Sequence, residues 1–437
     1  MPNDFSMSSV SAELERRIRA NRLLNLPVEW RDEIVFPYYN GLSILNVARS
    51  IAAMFGVALD NTLDATVWDG TLFSGDIDRV VLVITDGLGY KYLKQLMAED
   101  DDLRADVDAI TDKRGAIPLT SVAPSTTLVA LPTFWTAQPA TVHGMMGTFM
   151  YLREFSMLVN MLRNKPAGKH QATDSLAAWG FDPNTFVPTP SIANLLAGVG
   201  VPTHLLLDGE LSGTGLSRIL HREVTQFYAH SGLNDSWIRL HDLLTETAGK
   251  RCFVSAYWHN VDKLSHMYGA HNRYTAQEIR TQMKTLREIL TSDAVQDGRT
   301  LALIVADHGH HDAMNFIDLT EGAATEPIRD ALRGQVGGDT RFAYFMIQDG
   351  SKGQVIEAIE RDFSDLLAWI DPHDAIDAGL FGPGRAHPEL RHRIGDLIVI
   401  PRLGSRVWDA GRAKQPISMH GGLSDWEMLV PLMYKRI

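Results

Sequence analysis

The segment DRVVLVITDGLG, residues 78–89, carries the clearest fold signal in this 437-residue sequence. Its run of aliphatic and β-branched residues ends at Asp86, and two glycines and a helix-like stretch over Tyr90–Met97 follow. This order predicts a buried strand, a tight turn and a helix. Asp86 would therefore lie at the carboxyl end of a strand.

The same unit recurs further along the chain. Residues 251–258 (RCFVSAYW) and 300–306 (TLALIVA) are strand-like, and a helix is predicted between them over Ala276–Leu290. Residues 202–207 and 397–400 predict further strands. Strands that alternate with helices are typical of an α/β fold, in which a mainly parallel central sheet has helices on both faces. Ligands of such folds bind beyond the carboxyl ends of the strands.

Changes in composition predict the domain organisation. Residues 1–76 are expected to form an N-terminal helical lead-in packed on the core, with one helix capped by Ser11 and another over Ser43–Phe55. The core itself would comprise residues 77–317 and 394–437. Residues 318–393 are expected to form a cap or insertion, and residues 145–190 a lip of the active site. Both segments would line the substrate entrance.

Charge and composition exclude several classes of protein. The net charge is −12, from 41 basic and 53 acidic residues, which argues against extended nucleic-acid binding because that requires many Lys and Arg residues. Cys252 is the single cysteine, so no intrachain disulfide can form. We expect no membrane span and no secretory signal, and hence a cytoplasmic protein. The sequence does not indicate the oligomeric state.

Asp and His residues follow the predicted strands. In WHNVDKLSHMYG, residues 258–269, Asp262 and His266 are four positions apart, which places both on one face of a helix as a metal ion requires, although surface ion pairs share this spacing. Asp307 and His308 close the third strand, where Gly309 permits a turn. The next two residues, His310 and His311, are either supporting groups or exposed loop residues, and we favour the second interpretation.

A hydroxyl nucleophile is predicted in the segment Pro124-Ser-Thr-Thr127, which opens a helix. A helix N-terminus presents free N–H groups to a phosphate, but a hydroxyl there is also typical of an N-cap. His420 lies in a His-Gly-Gly segment shortly before the apolar stretch MLVPLMY. Each feature alone has a purely structural explanation, whereas their order along the chain favours one shared site.

Five segments together resemble the type I phosphodiesterase/nucleotide pyrophosphatase branch of the alkaline phosphatase superfamily. They are VITDGLG, APSTTLVALPTFWTAQPATVHG, WHNVDKLSHMYG, IVADHGHHD and MHGGLSDWEMLVPL, and they span roughly residues 80 to 433. The resemblance implies an alkaline-phosphatase-like three-layer sandwich with cap insertions.

The resemblance also implies two divalent metal ions. One would be held by Asp262, His266 and His420. The other would be held by Asp86, Asp307 and His308, with the nucleophilic threonine beside it. The register places that threonine at Thr127, and a gap near Pro139 would move it to Thr126. Ligands that are oxygen and nitrogen without thiolate suit zinc, with manganese as the alternative.

The implied activity is hydrolysis of a small-molecule phosphodiester or pyrophosphate through a phospho-threonine intermediate. A phosphonate hydrolase and a phosphomonoesterase are alternatives with the same ligands. A sulfatase of this superfamily would need a Cys-x-Pro-x-Arg segment, which the sequence lacks. Outside the enzymes, the chain could be a degenerate member that binds a phosphate-bearing ligand without turnover.

Overall fold

The computed structural model describes residues 7–68, 77–168, 171–409 and 416–437. Within these residues the strands, in chain order, are β1 (Arg79–Thr85), β2 (Ile117–Thr120), β3 (Phe149–Leu152), β4 (Met157–Asn160), β5 (Lys165–Pro166), β6 (Thr203–Asp208), β7 (Gln226–His230), β8 (Cys252–Trp258), β9 (Thr300–Val305), β10 (His311–Asp312), β11 (Asn315–Asp318), β12 (Gly337–Asp339), β13 (Phe342–Phe345), β14 (Leu367–Ile370), β15 (Leu397–Pro401), β16 (Ser405–Trp408), β17 (Ser418–Met419) and β18 (Leu429–Arg436).

The α-helices of the same residues are α1 (Met7–Ala20), α2 (Ile44–Met54), α3 (Tyr90–Glu99), α4 (Asp101–Ile110), α5 (Thr127–Thr136), α6 (Ala140–His143), α7 (Pro183–Phe186), α8 (Ile192–Ala197), α9 (Gly215–Leu220), α10 (Leu233–Glu246), α11 (Asn260–Tyr268), α12 (Arg273–Leu290), α13 (Glu326–Ala331), α14 (Lys352–Asp362), α15 (Pro372–Asp377), α16 (Leu390–Arg393) and α17 (Asp425–Met428). Among them, none combines the length and the apolar character needed to cross a bilayer.

The main sheet has seven strands in the order β2-β18-β9-β1-β8-β6-β7. Strands β9, β1, β8, β6 and β7 are parallel, whereas β18 is antiparallel to both of its neighbours. Every residue of the central strand β1 is buried, which explains the uninterrupted apolar run over residues 80–84. Arg79 opens this strand, and the cost of burying its charge is offset because its guanidinium donates to Thr300 (2.7 Å) and Asp297 (3.1 Å).

Helices cover the main sheet on both faces. One group contains α3, α4, α10, α11 and α12, and the other contains α2, α5, α8 and α9, with packing contacts inside each group. The three-layer α/β fold with a mainly parallel central sheet, which the sequence predicted, is therefore confirmed.

A second sheet also has seven strands, in the order β14-β15-β13-β12-β3-β4-β5, and all its pairings are antiparallel. It joins strands from the expected lip, residues 145–190, with strands from the expected insertion, residues 318–393. The predicted strand over residues 397–400 is confirmed as β15, but it belongs to this second sheet, where it pairs antiparallel with β13 and β14. A buried strand has the same apolar composition in either sheet, so its sequence does not identify its partners.

The described part of the N-terminal segment packs on the core through α1 and α2. The prediction that Ser11 caps the first helix is wrong: α1 begins at Met7, and the Ser11 hydroxyl donates to the carbonyl of Ala116 (3.1 Å). The second helix, predicted over Ser43–Phe55, is α2, with Ser43 as its N-cap and the Ser43 N–H donating to the Asn46 side chain (2.9 Å). Residues 1–6 and 69–76 of the predicted lead-in, 169–170 of the lip and 410–415 of the core lie outside the described residues.

Candidate active site

The structure places the seven predicted site residues at the carboxyl edge of the main sheet. Asp86 follows β1, and Asp307 and His308 follow β9. Asp262 and His266 lie on α11, directly after β8. The two others are Thr127, which is the first residue of α5, and His420, which lies in the loop between β17 and α17.

The structure contains two groups of side chains that could each bind a metal ion. Within each group, the ligand atoms all lie within 4.8 Å of one another. The first contains Asp86, Asp307 and His308, as predicted. The second contains Asp262, His308, His310 and His420. His266 is outside this second group, but its Nε2 is 3.3 Å from Asp262 Oδ1. The structure thus assembles all the predicted side chains and adds His310.

His308 occupies the centre of the first group. Its Nε2 is 3.4 Å from Asp86 Oδ1, 3.5 Å from Asp307 Oδ2 and 3.0 Å from Thr127 Oγ1. Its Nδ1 is 3.1 Å from the carbonyl oxygen of Gly309, a geometry in which Nδ1–H donates. The Nε2 lone pair therefore faces the two carboxylates and the threonine, the orientation of a metal-binding imidazole.

The two carboxylates of this group are buried and incompletely paired. Asp86 is 3% exposed and Asp307 is fully buried. Among the described residues, Asp86 Oδ1 and Asp307 Oδ2 have no hydrogen-bond partner. Burial raises the pKa of both carboxyls, and the negative charge of Asp307 raises the pKa of Asp86 further. Buried, unpaired carboxylates are costly unless a cation neutralises them, so these two residues fit a divalent ion.

Asp262 is the centre of the second group. Its Oδ1 is 2.7 Å from His310 Nε2 and 3.5 Å from His420 Nε2. Burial disfavours the carboxylate, but His266 and His310 outweigh this effect and hold the pKa of Asp262 well below its usual range. His266 directs its Nδ1 at the carbonyl of Ser418 (2.8 Å), so its Nε2 lone pair also faces the site.

His310 is a further candidate site residue, which the sequence interpretation missed. The prediction that it is an exposed loop residue is wrong: it is 3% exposed, and its Nδ1 is 2.9 Å from Ser418 Oγ. His311 is half-buried, with its Nδ1 2.7 Å from the carbonyl of Asp312. His310 lies two residues after the predicted ligand His308, in the short segment between β9 and β10. The spacing of His310 from His308 was therefore the available signal.

Two glycines allow the strand ends to converge. Gly87 has a φ of +81°, and a Cβ at this position would lie 2.9 Å from the Cα of Asp262. A Cβ on Gly309 would lie 2.1 Å from the carbonyl oxygen of Trp426. Any side chain at either position would separate the segments that carry the site residues.

A buried ion pair fixes the loop that carries His420. The Glu427 carboxylate accepts hydrogen bonds from Arg341 (2.7 and 2.8 Å), from the Gly422 N–H (2.9 Å) and from the Ser424 hydroxyl (2.6 Å). Burial would raise the pKa of Glu427, but Arg341 lowers it to about 2. The stabilisation from this ionised group is thus complete above its ordinary pKa of 4.5 and is lost as the pH falls toward 2.

The two candidate threonines have different surroundings. Thr127 is half-buried, with its hydroxyl directed at His308. Thr126 is the N-cap residue of α5, is fully buried, and has no partner for its hydroxyl among the described residues. Tyr257 was not predicted from the sequence; its hydroxyl donates to Asp86 Oδ2. Thr127 and Tyr257 both line a cavity beside the first group.

Several solved structures share this fold. Human ectonucleotide pyrophosphatase/phosphodiesterase 5 is 16% identical, with a TM-score of 0.58 over 81% of this chain and 87% of that chain. An inactive threonine-to-alanine variant of the murine protein, in complex with AMP, is 13% identical, with a TM-score of 0.57 over 82% and 87%. Phosphonoacetate hydrolase from Sinorhizobium meliloti 1021, in complex with phosphonoformate, is 15% identical, with a TM-score of 0.56 over 82% and 89%.

Comparison with curated proteins gives no significant sequence match. The sequence pattern of the family described as type I phosphodiesterase/nucleotide pyrophosphatase, in contrast, matches residues 80–423, most of the chain, and these residues include every predicted site residue. The chain therefore belongs to the type I phosphodiesterase/nucleotide pyrophosphatase family and is a hydrolase of the phosphoesterase class.

Proposed function

We propose that the chain hydrolyses phosphodiester or pyrophosphate bonds of a small molecule, with Thr127 as nucleophile and two divalent ions, most simply zinc, as cofactors. The observation that carries the proposal is the position of the Thr127 hydroxyl. It lies at the N-terminus of α5, 3.0 Å from His308 Nε2, at the edge of a group of buried and incompletely paired carboxylates.

The side chains fit two ions. Asp86, Asp307 and His308, together with Thr127, would hold one of them. Asp262, His266 and His420 would hold the other. All these donors are carboxylate or hydroxyl oxygens and imidazole nitrogens, which suit zinc or manganese. The Nδ1 contacts of His266 and His308 with backbone carbonyls support the assignment, because they leave Nε2 free.

Thr127 is well placed for attack on phosphorus. When bound, the ions would supply positive charge that favours the ionised hydroxyl and the phosphoryl oxygens. Thr127 Oγ1 then forms a bond to phosphorus, its proton passes to water, and the bond from phosphorus to the leaving oxygen breaks. Water hydrolyses the resulting phospho-threonine and restores the hydroxyl. The free N–H groups at the start of α5 stabilise the phosphoryl oxygens throughout.

A threonine nucleophile agrees with the description of one structural neighbour. The murine ectonucleotide pyrophosphatase/phosphodiesterase 5 variant that is described as inactive carries alanine in place of a threonine. A phosphonate hydrolase is the second candidate function, since phosphonoacetate hydrolase has the same fold. Both activities would use the same side chains, so the two candidate functions are distinguished only by the substrate that the protein hydrolyses.

Hydrolysis of bis-p-nitrophenyl phosphate tests the proposal. We expect metal-free protein to be inactive, protein loaded with Zn²⁺ or Mn²⁺ to release p-nitrophenolate, and a chelator to abolish the activity. A panel of nucleotide pyrophosphates, diesters, monoesters and phosphonates on the same preparation separates the two candidate functions. Tight metal binding without turnover of any of these compounds would show a degenerate binding module instead.

Substitution of His310 should weaken metal binding without removing a predicted ligand. His310 orients Asp262 through a 2.7 Å contact, and loss of such a supporting contact typically lowers metal affinity about 10–100-fold. We expect this loss in His310→Ala, measured by zinc competition with a chelator. His310→Gln keeps an N–H donor and should recover part of the affinity. His311→Ala is the matched control, and an equal loss in both variants would contradict the assignment.

A further inference from the structure

The cavity beside Thr127 has a chemical character that narrows the choice of substrate. It has a volume of about 340 Å³, and Thr127 and Tyr257 are among the residues that line it. This size is at the lower end of the range for small-molecule sites. Because Thr127 lines the cavity, a group bound there would lie beside the phosphorus that Thr127 attacks in the proposed function.

One wall of the cavity is a single face of α5. Thr127, Leu131 and Trp135 all line it, and their spacing of four residues places them in a row along the helix. At 1.5 Å per residue, this row extends about 12 Å from the hydroxyl. Leu131 and Trp135 are 7% and 4% exposed. The wall therefore becomes apolar within one helical turn of Thr127.

Four leucines line other parts of the cavity, together with the uncharged hydroxyl side chains of Thr173, Thr214 and Ser217. Leu205 and Leu207 are alternate residues of β6 and so project from the same side of the strand. Leu216 and Leu220 are one turn apart on α9. All four are buried. Three separate elements thus present apolar side chains to the same space.

The charged side chains that line the cavity are confined to its rim. Arg163 and Glu210 are both exposed to solvent. Deeper inside, His221 contacts the Trp135 ring at a centroid distance of 4.7 Å, and burial lowers its pKa to about 3. His221 is therefore neutral at pH 7. Among the described lining residues, no charged group is placed to pair with a second phosphate or an ionised base in the interior.

We propose that this cavity binds an uncharged alkyl group, so that the preferred substrates are phosphodiesters with an alkyl chain on phosphorus. The inference rests on the proposed function, because it takes Thr127 as the attacking group. In an in-line displacement the leaving oxygen departs opposite to Thr127 Oγ1. Thr127 itself lines the cavity, so we assign the alkyl chain as the ester group that stays on phosphorus.

A series of alkyl p-nitrophenyl phosphates, from methyl to octyl, tests the proposal on the metal-loaded protein. We expect kcat/KM to rise about fourfold for each added methylene until the cavity is filled, the fold-change that corresponds to ~0.8 kcal/mol per buried methylene. In Leu220→Phe, which shortens the cavity, the octyl-to-methyl ratio of kcat/KM should fall at least tenfold. Val28→Phe adds the same ring at a position that is 66% exposed and should keep the wild-type ratio.

The outcomes separate this inference from the function on which it rests. Turnover of the methyl ester with no dependence on chain length would overturn the inference and leave the phosphoesterase intact. A higher kcat/KM for thymidine 5′-monophosphate p-nitrophenyl ester than for the octyl ester would overturn it in favour of a nucleoside. Absence of turnover for every ester, with metal bound, would overturn both.

Discussion

Replacement of Thr127 by alanine should lower kcat/KM for bis-p-nitrophenyl phosphate by roughly 10⁴- to 10⁶-fold, the range found when an enzyme loses its nucleophile. The variant loses the hydroxyl that forms the bond to phosphorus, but the other proposed ligands remain in place. Metal affinity should fall much less than activity. Thr127→Ser keeps a hydroxyl at the same position and should retain measurable turnover, with a covalent p-nitrophenyl phosphoserine ester detectable by mass spectrometry.

The matched control for this experiment is the neighbouring threonine. Thr126→Val keeps the shape of a fully buried side chain whose hydroxyl has no partner among the described residues. We therefore expect its activity to stay within a few-fold of wild type and its stability to be unchanged or slightly higher. Loss of turnover in Thr126→Val together with retained turnover in Thr127→Ala would identify Thr126 as the nucleophile.

Asp307→Asn should raise the thermal stability of the metal-free protein but weaken its zinc binding and activity. Asn keeps the shape of the side chain, and its carbonyl oxygen can still accept from the N–H groups of Gly87 and His308. It removes one of two buried negative charges, so metal-free protein should become more stable by about 1–3 °C in Tm. With zinc, we expect at least about 100-fold weaker binding and loss of turnover.

The stability gained by Asp307→Asn in the metal-free protein should depend on pH. Burial raises the pKa of Asp307 above its ordinary value of 3.8, so the carboxylate destabilises the metal-free fold at neutral pH. That penalty disappears once the group is protonated. The advantage of Asp307→Asn in the presence of a chelator should therefore be largest near pH 7–8 and fade as the pH falls toward 3.8.

Thermal unfolding with chelator and with zinc, together with calorimetric titration of zinc, provides the measurement. Asp330→Asn is the control. The Asp330 carboxylate is 63% exposed, and its ion-pair contact with Arg329 is long, at 3.7 Å. It should change neither the metal-free stability nor the stabilisation by zinc. An Asp307→Asn variant with wild-type zinc binding and turnover would rule out Asp307 as a metal ligand.

The sequence alone was sufficient to predict those parts of the fold in which a local pattern of residues recurs. The apolar runs of β1, β8 and β9 are each followed within a few residues by Asp or His. These three strands are parallel, so their carboxyl ends lie at one edge of the sheet. The amino-acid pattern alone therefore predicts that the site residues on these strands lie together. The second sheet could not be predicted, because β3 pairs with β12, which is far along the chain. Nothing in the sequence of either strand identifies the other as its partner.

The residues that were missed act through contacts between distant segments. Arg341 is paired with Glu427 inside the protein, yet each is an ordinary charged residue in its own stretch of sequence. Tyr257 looks like one more apolar residue of a buried strand until its hydroxyl is seen at Asp86. Only His310 could have been found from its own stretch of sequence, because it lies two residues after the predicted ligand His308.

We expect the pairing of strand β18 to set when the site forms during folding. It is inserted between β2 and β9, two strands that are distant from it in sequence, and pairings of such high contact order form slowly. The segment just before β18 carries His420 and Glu427, and the Glu427 carbonyl accepts from the Gly309 N–H (2.8 Å). The His420 loop and the end of β9 would therefore reach their final positions in the same slow step that closes the sheet. A chain that has folded only its parallel strands would hold an incomplete set of ligands.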